Sequence, residues 1–519
     1  MSVSSARPNS QLFTGPPPAA IVLLVVLACL AAVAAALVRR RERAGSSGAR
    51  FASRADLRPL RVAGPGAGRV ILGTCGRALI AAEPRASVLV VGPSQSGKTS
   101  GLVVPALLEW GGPALCTSIK SDVVHDTFVA REKVGEVRVF DPTGATYLPH
   151  ASWSPIAGSR TWEGARRMAA RLLGVGEHGG GRSADEAFWR PAGARYLAPL
   201  LLAAAHGRHL AMRDVLSWVA GVGEDEPASL LDGCVTPGAP AALEALSSVW
   251  GADARFRSNL QQTVATSLDP WQEPQIAAAT AGDSRIAAEW LLDGANTLYL
   301  ISPAEDQRRL RGLLCALVAD VVAGAFARSA DSGRPVEPAL LLCLDEAANI
   351  APLPNLDEIA STGPGQGVQL LTVLQNMSQA SDRWGSERAE TIIANHRARV
   401  FCSGIGDRAT LEHLRQTLGE QQVARVARQH AGLMSSGSLT ISQEHQPLAP
   451  PNRVRQAKAD RALLVYGNLS PAWLRLRPWY RDAGLRARAA GRPSPARSRA
   501  HRLVRSALGL GRASAPGAR

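Results

Sequence analysis

The sequence is short of cysteine pairs, of acid and of long apolar runs. Its seven cysteines are Cys29, Cys75, Cys116, Cys234, Cys315, Cys343 and Cys402, and no two form a CxxC or a Cys/His pair at zinc spacing. That excludes a disulfide framework and reads as a reducing compartment. Several lie within apolar stretches, where cysteine behaves as a small hydrophobe. His206 and His209 stand three apart with no third ligand nearby, which favours structural roles over a metal site. Acid is scarce as well: 43 Asp and Glu against 58 Lys and Arg, a formal charge of +15. Such a balance suits a polyanionic partner or an anionic membrane surface. Past Tyr480 the shortage is extreme, with Asp482 the only acid and no further aromatic. Residues 481–519 therefore read as a disordered basic tail. Binding to nucleic acid, binding to membrane and plain solubilisation all stay open for it.

One charge-free apolar run has the length of a bilayer, residues 19–38. A single arginine, Arg7, precedes it, and the run RRRER follows at once. The positive-inside rule then puts the body of the chain in the cytoplasm, anchored once in the cell membrane. A cleaved signal peptide is the alternative; the missing basic start and the length of the run weigh against it. The later runs 197–205 and 313–327 read as too short or too interrupted to span. Residues 39–67, rich in Gly, Ser, Ala and Arg, read as a juxtamembrane linker after a short outer segment, 1–18.

What is present is a phosphate cradle. Gly92, Pro93, Ser94, Gln95, Ser96, Gly97, Lys98 and Thr99 fit GxxxxGK[ST] in full, and Ser100 continues the turn into a helix. The glycines let backbone N–H groups curl toward phosphate oxygens, and the helix N-terminus adds its dipole. Lys98 suits the β- and γ-phosphates of ATP, and the Thr99 hydroxyl suits Mg2+. The flanks agree: residues 87–91 read as a buried parallel strand and 100–110 as an apolar helix despite Pro105.

Such a site needs a second, acidic strand. Residues 339–346 (ALLLCLDE) form an apolar run ending in two acids. This suits a central strand whose carboxyl end faces the ligand. Asp345 would hold Mg2+, and Glu346 would polarise the attacking water. A third strand, 368–374, ends at Gln375, which either senses the γ-phosphate or is a surface residue at a strand end. Further short apolar runs fall at 114–119, 137–140, 297–301, 399–402 and 463–466. The pattern predicts a doubly wound α/β core. The turns Lys120-Ser121-Asp122 and Asp141-Pro142-Thr143-Gly144 fall on the same presumed face, with a ligand contact and simple turn chemistry equally open.

Between Asp141 and Thr297 the strand signal disappears. Residues 163–173, 192–205, 241–250 and 258–268 carry helical periodicity, interrupted by a Gly-rich stretch at 174–182. The reading is a nucleotide-binding domain over 68–145 and 294–480, with an all-alpha domain inserted over 146–293.

With these parts in place, residues 52–482 resemble the type IV coupling proteins, the TraG/TraD group of conjugation and type IV secretion, within the RecA-like and FtsK-like ring ATPases. The resemblance rests on FDPTG at 140–144, WSP at 153–155, Phe188-Trp189, TLYL at 297–300, LDEAANI at 344–350, LQNMSQA at 374–380, Trp384-Gly385 and IIAN at 392–395. It implies a RecA-like P-loop fold, a homo-hexameric ring and MgATP on Lys98 and Thr99. It also implies Asp345 with Glu346 as the acidic pair and Gln375 as sensor. The implied partners are DNA, a relaxase-type protein substrate and secretion-channel proteins. Two departures stand out. The family commonly has two membrane spans and this sequence shows one. The loop read at 361–367 (STGPGQG) lacks the arginine that relatives place before the sensor strand, leaving Arg397 and Arg399 as candidates. A receptor for protein substrates that uses ATP for assembly, and an FtsK-like chromosomal pump, are the alternatives. Against the pump, no winged-helix DNA reader is seen near the C-terminus.

Overall fold

The computed structural model describes residues 48–492 apart from 67, 175–183, 282–285 and 429–438. The apolar run at 19–38, residues 39–47 of the linker, most of the Gly-rich stretch and the tail from 493 lie outside the described residues. Two compact units emerge. The smaller holds an antiparallel hairpin, Glu420–Arg428 paired with Leu439–Pro447, with Ala49 N–H bonded to Glu420 O. The larger contains everything else described below.

Its frame is one twelve-stranded sheet. In chain order the strands are β1 (Arg61–Val62), β2 (Ile71–Cys75), β3 (Ala78–Ala81), β4 (Val88–Val91), β5 (Ala114–Ser118), β6 (Val137–Phe140) and β7 (Thr297–Ile301). They continue with β8 (Leu340–Leu344), β9 (Val368–Leu374), β10 (Ala398–Cys402), β13 (Arg461–Tyr466) and β14 (Leu469–Arg475); β11 (Glu420–Arg428) and β12 (Leu439–Pro447) are the hairpin strands of the smaller unit. The order across the sheet is β1-β3-β2-β14-β13-β10-β4-β9-β8-β5-β7-β6. From β10 to β6 every pairing is parallel. From β13 outward to β1 the pairings turn antiparallel. The parallel half is the doubly wound core that the apolar runs predict. Of the antiparallel extension only the run at 463–466, within β13, is read in the sequence; β14 contains Pro471 and β2 contains Gly73, both weak strand signals.

Parallel strands are covered by helices on both faces, so their sequences run apolar without alternation. All residues of β4 and β8 are buried. Each buried Val or Leu contributes about 2 kcal/mol relative to exposure. One face is covered by α1 (Val104–Glu109) and α2 (Asp122–Glu132), whose Leu107 and Val123 join a core with Val90, Leu341 and Leu371.

Between β6 and β7 the described residues form helices and no named strand: α3 (Trp162–Leu172), α4 (Ala184–His206), α5 (Met212–Val219), α6 (Asp225–Asp232), α7 (Ala239–Trp250), α8 (Ala254–Leu268), α9 (Pro274–Ala279) and α10 (Ala288–Leu292). These helices dock on α11 (Gln307–Ser332), partly through Arg171, which donates to Asp320 at 3.2 Å. Then follow α12 (Leu356–Gln366), α13 (Met377–Trp384), α14 (Ser386–Asn395), α15 (Arg408–Leu418), α16 (Pro451–Arg455) and α17 (Ala483–Ala489).

Two expectations change here. Residues 313–327 do not form a short, interrupted run. They belong to the 26-residue α11, the one described helix long and apolar enough to cross a membrane by length and composition. Leu310, Leu313, Leu314, Leu317, Val318 and Val321 are buried within the fold. The presumed loop at 361–367 is mostly the last turns of α12, stopped by Gly367 at φ +85°. Gly and Pro in STGPGQG masked the helix, because both are poor helix formers.

Candidate functional site

In an open parallel sheet, ligands gather beyond the carboxyl ends of the strands. β4, β9 and β8 are neighbours in that order, and Val91 is in register with Leu374. This brings three segments to one edge: Gly92 to Thr99, Asp345 with Glu346, and Gln375.

The loop after β4 bends through left-handed conformations at Gln95 (φ +63°) and Gly97 (φ +82°). Gly92 is required by space: a Cβ there would stand 2.6 Å from the Cys402 Cβ and 2.7 Å from the Ser96 Oγ. Its N–H donates to Leu374 O at 3.2 Å, which ties the loop to the sensor strand. Thr99–Val103 forms a single wide π-turn before α1 begins. Pro105 therefore sits in the first turn of α1, where its missing N–H costs little. Lys98 is buried and donates to Gly92 O at 2.6 Å and Pro93 O at 2.9 Å. Ser94 and Gln95 are exposed at the tip, while Pro93 and Ser100 are half-buried.

Asp345 meets Thr99 directly, its Oδ2 accepting from Thr99 Oγ1 at 3.0 Å. The Asp345 backbone carbonyl accepts from Thr117 Oγ1 on β5 at 2.9 Å, which fixes the strand end. Burial pushes the Asp345 carboxyl up to about 6. The Thr99 hydrogen bond and the Lys98 charge pull the other way, while Glu346 and Asp122 push further up. Its second oxygen, Oδ1, is buried with no hydrogen-bond partner among the described residues. Oxygen donors of this kind fit Mg2+: a hydroxyl and a carboxylate side by side, one carboxylate oxygen unused, and too little positive charge around it.

Glu346 is the next residue and holds φ +56°, an uncommon conformation for a side chain that is not glycine. Its Oε2 accepts from Gln375 Nε2 at 2.9 Å and from Asn349 Nδ2 at 3.2 Å. The phosphate-loop, acidic and sensor residues read from the sequence thus lie at this one edge, with Thr99 bonded to Asp345 and Gln375 bonded to Glu346. Asn349 and Gln379 were not singled out in the sequence. Both fall within the quoted motifs LDEAANI and LQNMSQA, yet an isolated amide carries no signal of its partner.

The two turns differ. Asp122 opens α2 close enough to raise the Asp345 carboxyl. Asp141 is taken up by its own turn, accepting from Thr143 Oγ1 at 3.1 Å and Thr146 N at 2.6 Å. The candidate arginines stand elsewhere. Arg397 precedes β10, at the strand end opposite the loop, and pairs with Glu83 at 2.7 Å. Arg399 is the second residue of the same strand, and burial lowers its guanidinium pKa. Neither reaches the nucleotide edge of its own chain. His206 Nε2 lies 3.0 Å from Arg160 O and 3.1 Å from Thr236 Oγ1, a link between helices.

Residues 67–501 match a family model described as type IV secretory system conjugative DNA transfer. The chain belongs to this family, the type IV coupling proteins. Among its relatives, a conjugal transfer protein TraG of Escherichia coli is 25% identical over 395 residues, 70% of this coupling protein and 61% of the relative. VirD4 of Rhizobium rhizogenes is 24% identical over 409 residues, 77% of this chain and 59% of the relative. The match spans about three-fifths of the length of these relatives. Among solved structures, the conjugative coupling protein TrwBdeltaN70 in its unbound form superposes with a TM-score of 0.63 at 20% identity, over 83% of this chain and 92% of that one. TrwB in complex with ADP and Mg2+ gives 0.61 at 21% identity, over 83% and 93%. These likenesses establish a shared fold, a RecA-like P-loop α/β architecture.

Proposed function

We propose that this coupling protein is a membrane-anchored ATPase that recruits DNA, or a DNA–protein substrate, and drives it into a type IV secretion channel. The observation that carries the reading is the contact between Thr99 and Asp345 at the edge where the phosphate loop, the acidic strand and Gln375 meet. The solved TrwB structures in complex with the ATP analogue ADPNP and with ADP and Mg2+ support binding of a nucleotide and Mg2+.

In this reading Lys98 leaves the Gly92 and Pro93 carbonyls to meet the phosphates, while the loop N–H groups from Ser94 to Thr99 cradle them. Thr99 and Asp345 would hold Mg2+, which when bound neutralises charge on the β- and γ-phosphates. Glu346 orients and accepts a proton from the attacking water, and Gln375 contacts the γ-phosphate. The apolar run at 19–38 supplies a single-pass anchor in the cell membrane with the body in the cytoplasm. The helical insertion and the net positive charge suit a polyanionic substrate. A homo-hexameric ring, as the family resemblance implies, would place each site next to a neighbouring subunit.

Substitution Lys98→Ala separates this reading from a receptor that needs no hydrolysis. A motor retains substrate recruitment at the membrane and loses transfer to a recipient. Transfer at the wild-type rate by Lys98→Ala would sink the motor reading.

A further inference from the structure

Glu346 is held by more than the sensor glutamine. Its Oε2 receives Gln375 Nε2 at 2.9 Å and Asn349 Nδ2 at 3.2 Å. The Asn349 Oδ1 receives Gln379 Nε2 at 3.0 Å, and Gln379 Oε1 receives the backbone N–H of Gln375 at 3.1 Å. These contacts close a ring: Glu346, Gln375, Gln379, Asn349 and back to Glu346. All four residues are half-buried, so water competes only partly for these bonds.

The ring is anchored on both sides. Asn349 N–H donates to Glu346 O at 2.9 Å, closing the turn that gives Glu346 its left-handed backbone. From α13, Arg383 Nε donates to Ala348 O at 2.9 Å and clamps the same turn. Gln379 is fixed because its own N–H caps on Asn376 Oδ1 at 2.8 Å. The start of α13 is tied to the approach to α15: Ser378 Oγ donates to Asp407 at 2.7 Å, and Met377 N–H donates to Thr410 Oγ1 at 3.0 Å.

We infer that Asn349 and Gln379 are positioning residues that aim the Glu346 carboxylate at the attacking water and couple its orientation to the sensor Gln375. This rests on the ATPase reading above. A free glutamate has three rotatable side-chain bonds, and two amide donors on one oxygen leave Oε1 as the oxygen open to water. Gln379 touches the Gln375 backbone and Asn349 at once. A movement of Gln375 is thereby passed to Glu346 by two routes, the direct bond and the path through Gln379 and Asn349. Misplacement of a catalytic group by about 1 Å costs on the order of a hundredfold in rate.

The test is steady-state ATP hydrolysis by the full chain in lipid nanodiscs, with binding of a fluorescent ATP analogue measured in parallel. The variants are Asn349→Ala, Gln379→Ala, their combination, and Asn349→Asp. Asn349→Asp keeps shape and the bond from Gln379 but replaces the donor to Glu346 with a carboxylate oxygen that repels it. The expected result is a kcat loss of about tenfold or more in each single variant, with KM and analogue affinity within about twofold of wild type. The double variant falls no further than the slower single one, because the ring acts as a unit. Asn349→Asp is at least as slow as Asn349→Ala, with KM and analogue affinity still within about twofold of wild type. A wild-type kcat in Asn349→Asp, or losses that multiply in the double variant, overturns the inference. Absence of hydrolysis in the wild type overturns the ATPase reading itself, and this inference with it.

Discussion

Thr99 and Asp345 are 246 positions apart in sequence, and their side chains meet at 3.0 Å. The hydroxyl of the phosphate loop donates to the first acid of the β8 end. The whole helical insertion lies between them in the chain. The contact therefore forms only when the two halves of the nucleotide-binding domain assemble around the insertion.

The same contact predicts a trade between stability and activity. The carboxyl of Asp345 is raised to about 6 by burial, so above that pH the folded state holds a charge it disfavours. Asp345→Asn removes the charge and keeps the acceptor for Thr99. With metal chelated at pH 7.5, this variant is expected to be more stable, by up to about 3 kcal/mol. Its hydrolysis should fall at least about a hundredfold. Urea unfolding and an ATPase assay on the same preparation check both signs.

Gly92→Ala has a steric basis. The added Cβ meets the Cys402 Cβ at 2.6 Å and the Ser96 Oγ at 2.7 Å, both within a packed edge. Overpacking of this kind costs about 1–3 kcal/mol. It also pushes the loop away from β10 and spoils the cradle. Binding of a fluorescent ATP analogue should weaken more than tenfold. Unchanged affinity and thermal midpoint would show that the edge is looser than its contacts indicate.

At the C-terminal end of α1, Arg477 binds Glu109 through two parallel bonds of 3.0 Å and also Asp482 at 3.0 Å. The Arg477 and Glu109 side chains are 12% and 7% exposed. Arg477→Ala strands a buried carboxylate and should cost about 3–5 kcal/mol. Combining it with Glu109→Gln should recover a large part of the loss. Equal stability of the single and double variants would refute the pairing.

His396 sets a pH dependence. It is fully buried between β9 and β10, with Nδ1 donating to Ile392 O at 2.6 Å and Nε2 accepting from Thr372 Oγ1 at 2.9 Å. Burial lowers it to about 4. The unfolded chain takes up this proton near pH 6.5 and the folded chain refuses it. Stability is complete above pH 6.5, declines as pH falls toward 4 and levels off below. The decline is about 3 kcal/mol. Asp345 works in the opposite sense over part of this range, because its folded carboxyl gains a proton first. The comparison is therefore the difference between wild type and His396→Gln: as pH falls from 6.5 to 4 the wild-type urea midpoint should drop relative to that of the variant. Parallel pH curves for the two proteins would reject the assignment.

The parallel half of the fold was legible because its strands obey a simple rule. Runs such as VLVV and LLLCL are apolar on both faces and stop abruptly at polar turns. The phosphate loop was legible because its chemistry fixes residues at contiguous positions. Of the antiparallel extension only β13 was legible, as the run at 463–466, since Gly73 and Pro471 weaken the strand pattern in β2 and β14. The helix behind STGPGQG was hidden because tertiary packing of Ile359 and Ala360 overrides poor propensity. Asn349 and Gln379 were invisible for another reason: a side-chain ring is defined by direction in space, and spacing along the chain does not encode it.

The most direct test of the central claim is ATP hydrolysis by the full chain in lipid nanodiscs, with and without single- or double-stranded DNA, across a salt series. The account predicts hydrolysis that rises with DNA, loses that stimulation steeply as salt increases, and is abolished by Lys98→Ala. Hydrolysis equal with and without DNA at every salt concentration would contradict it.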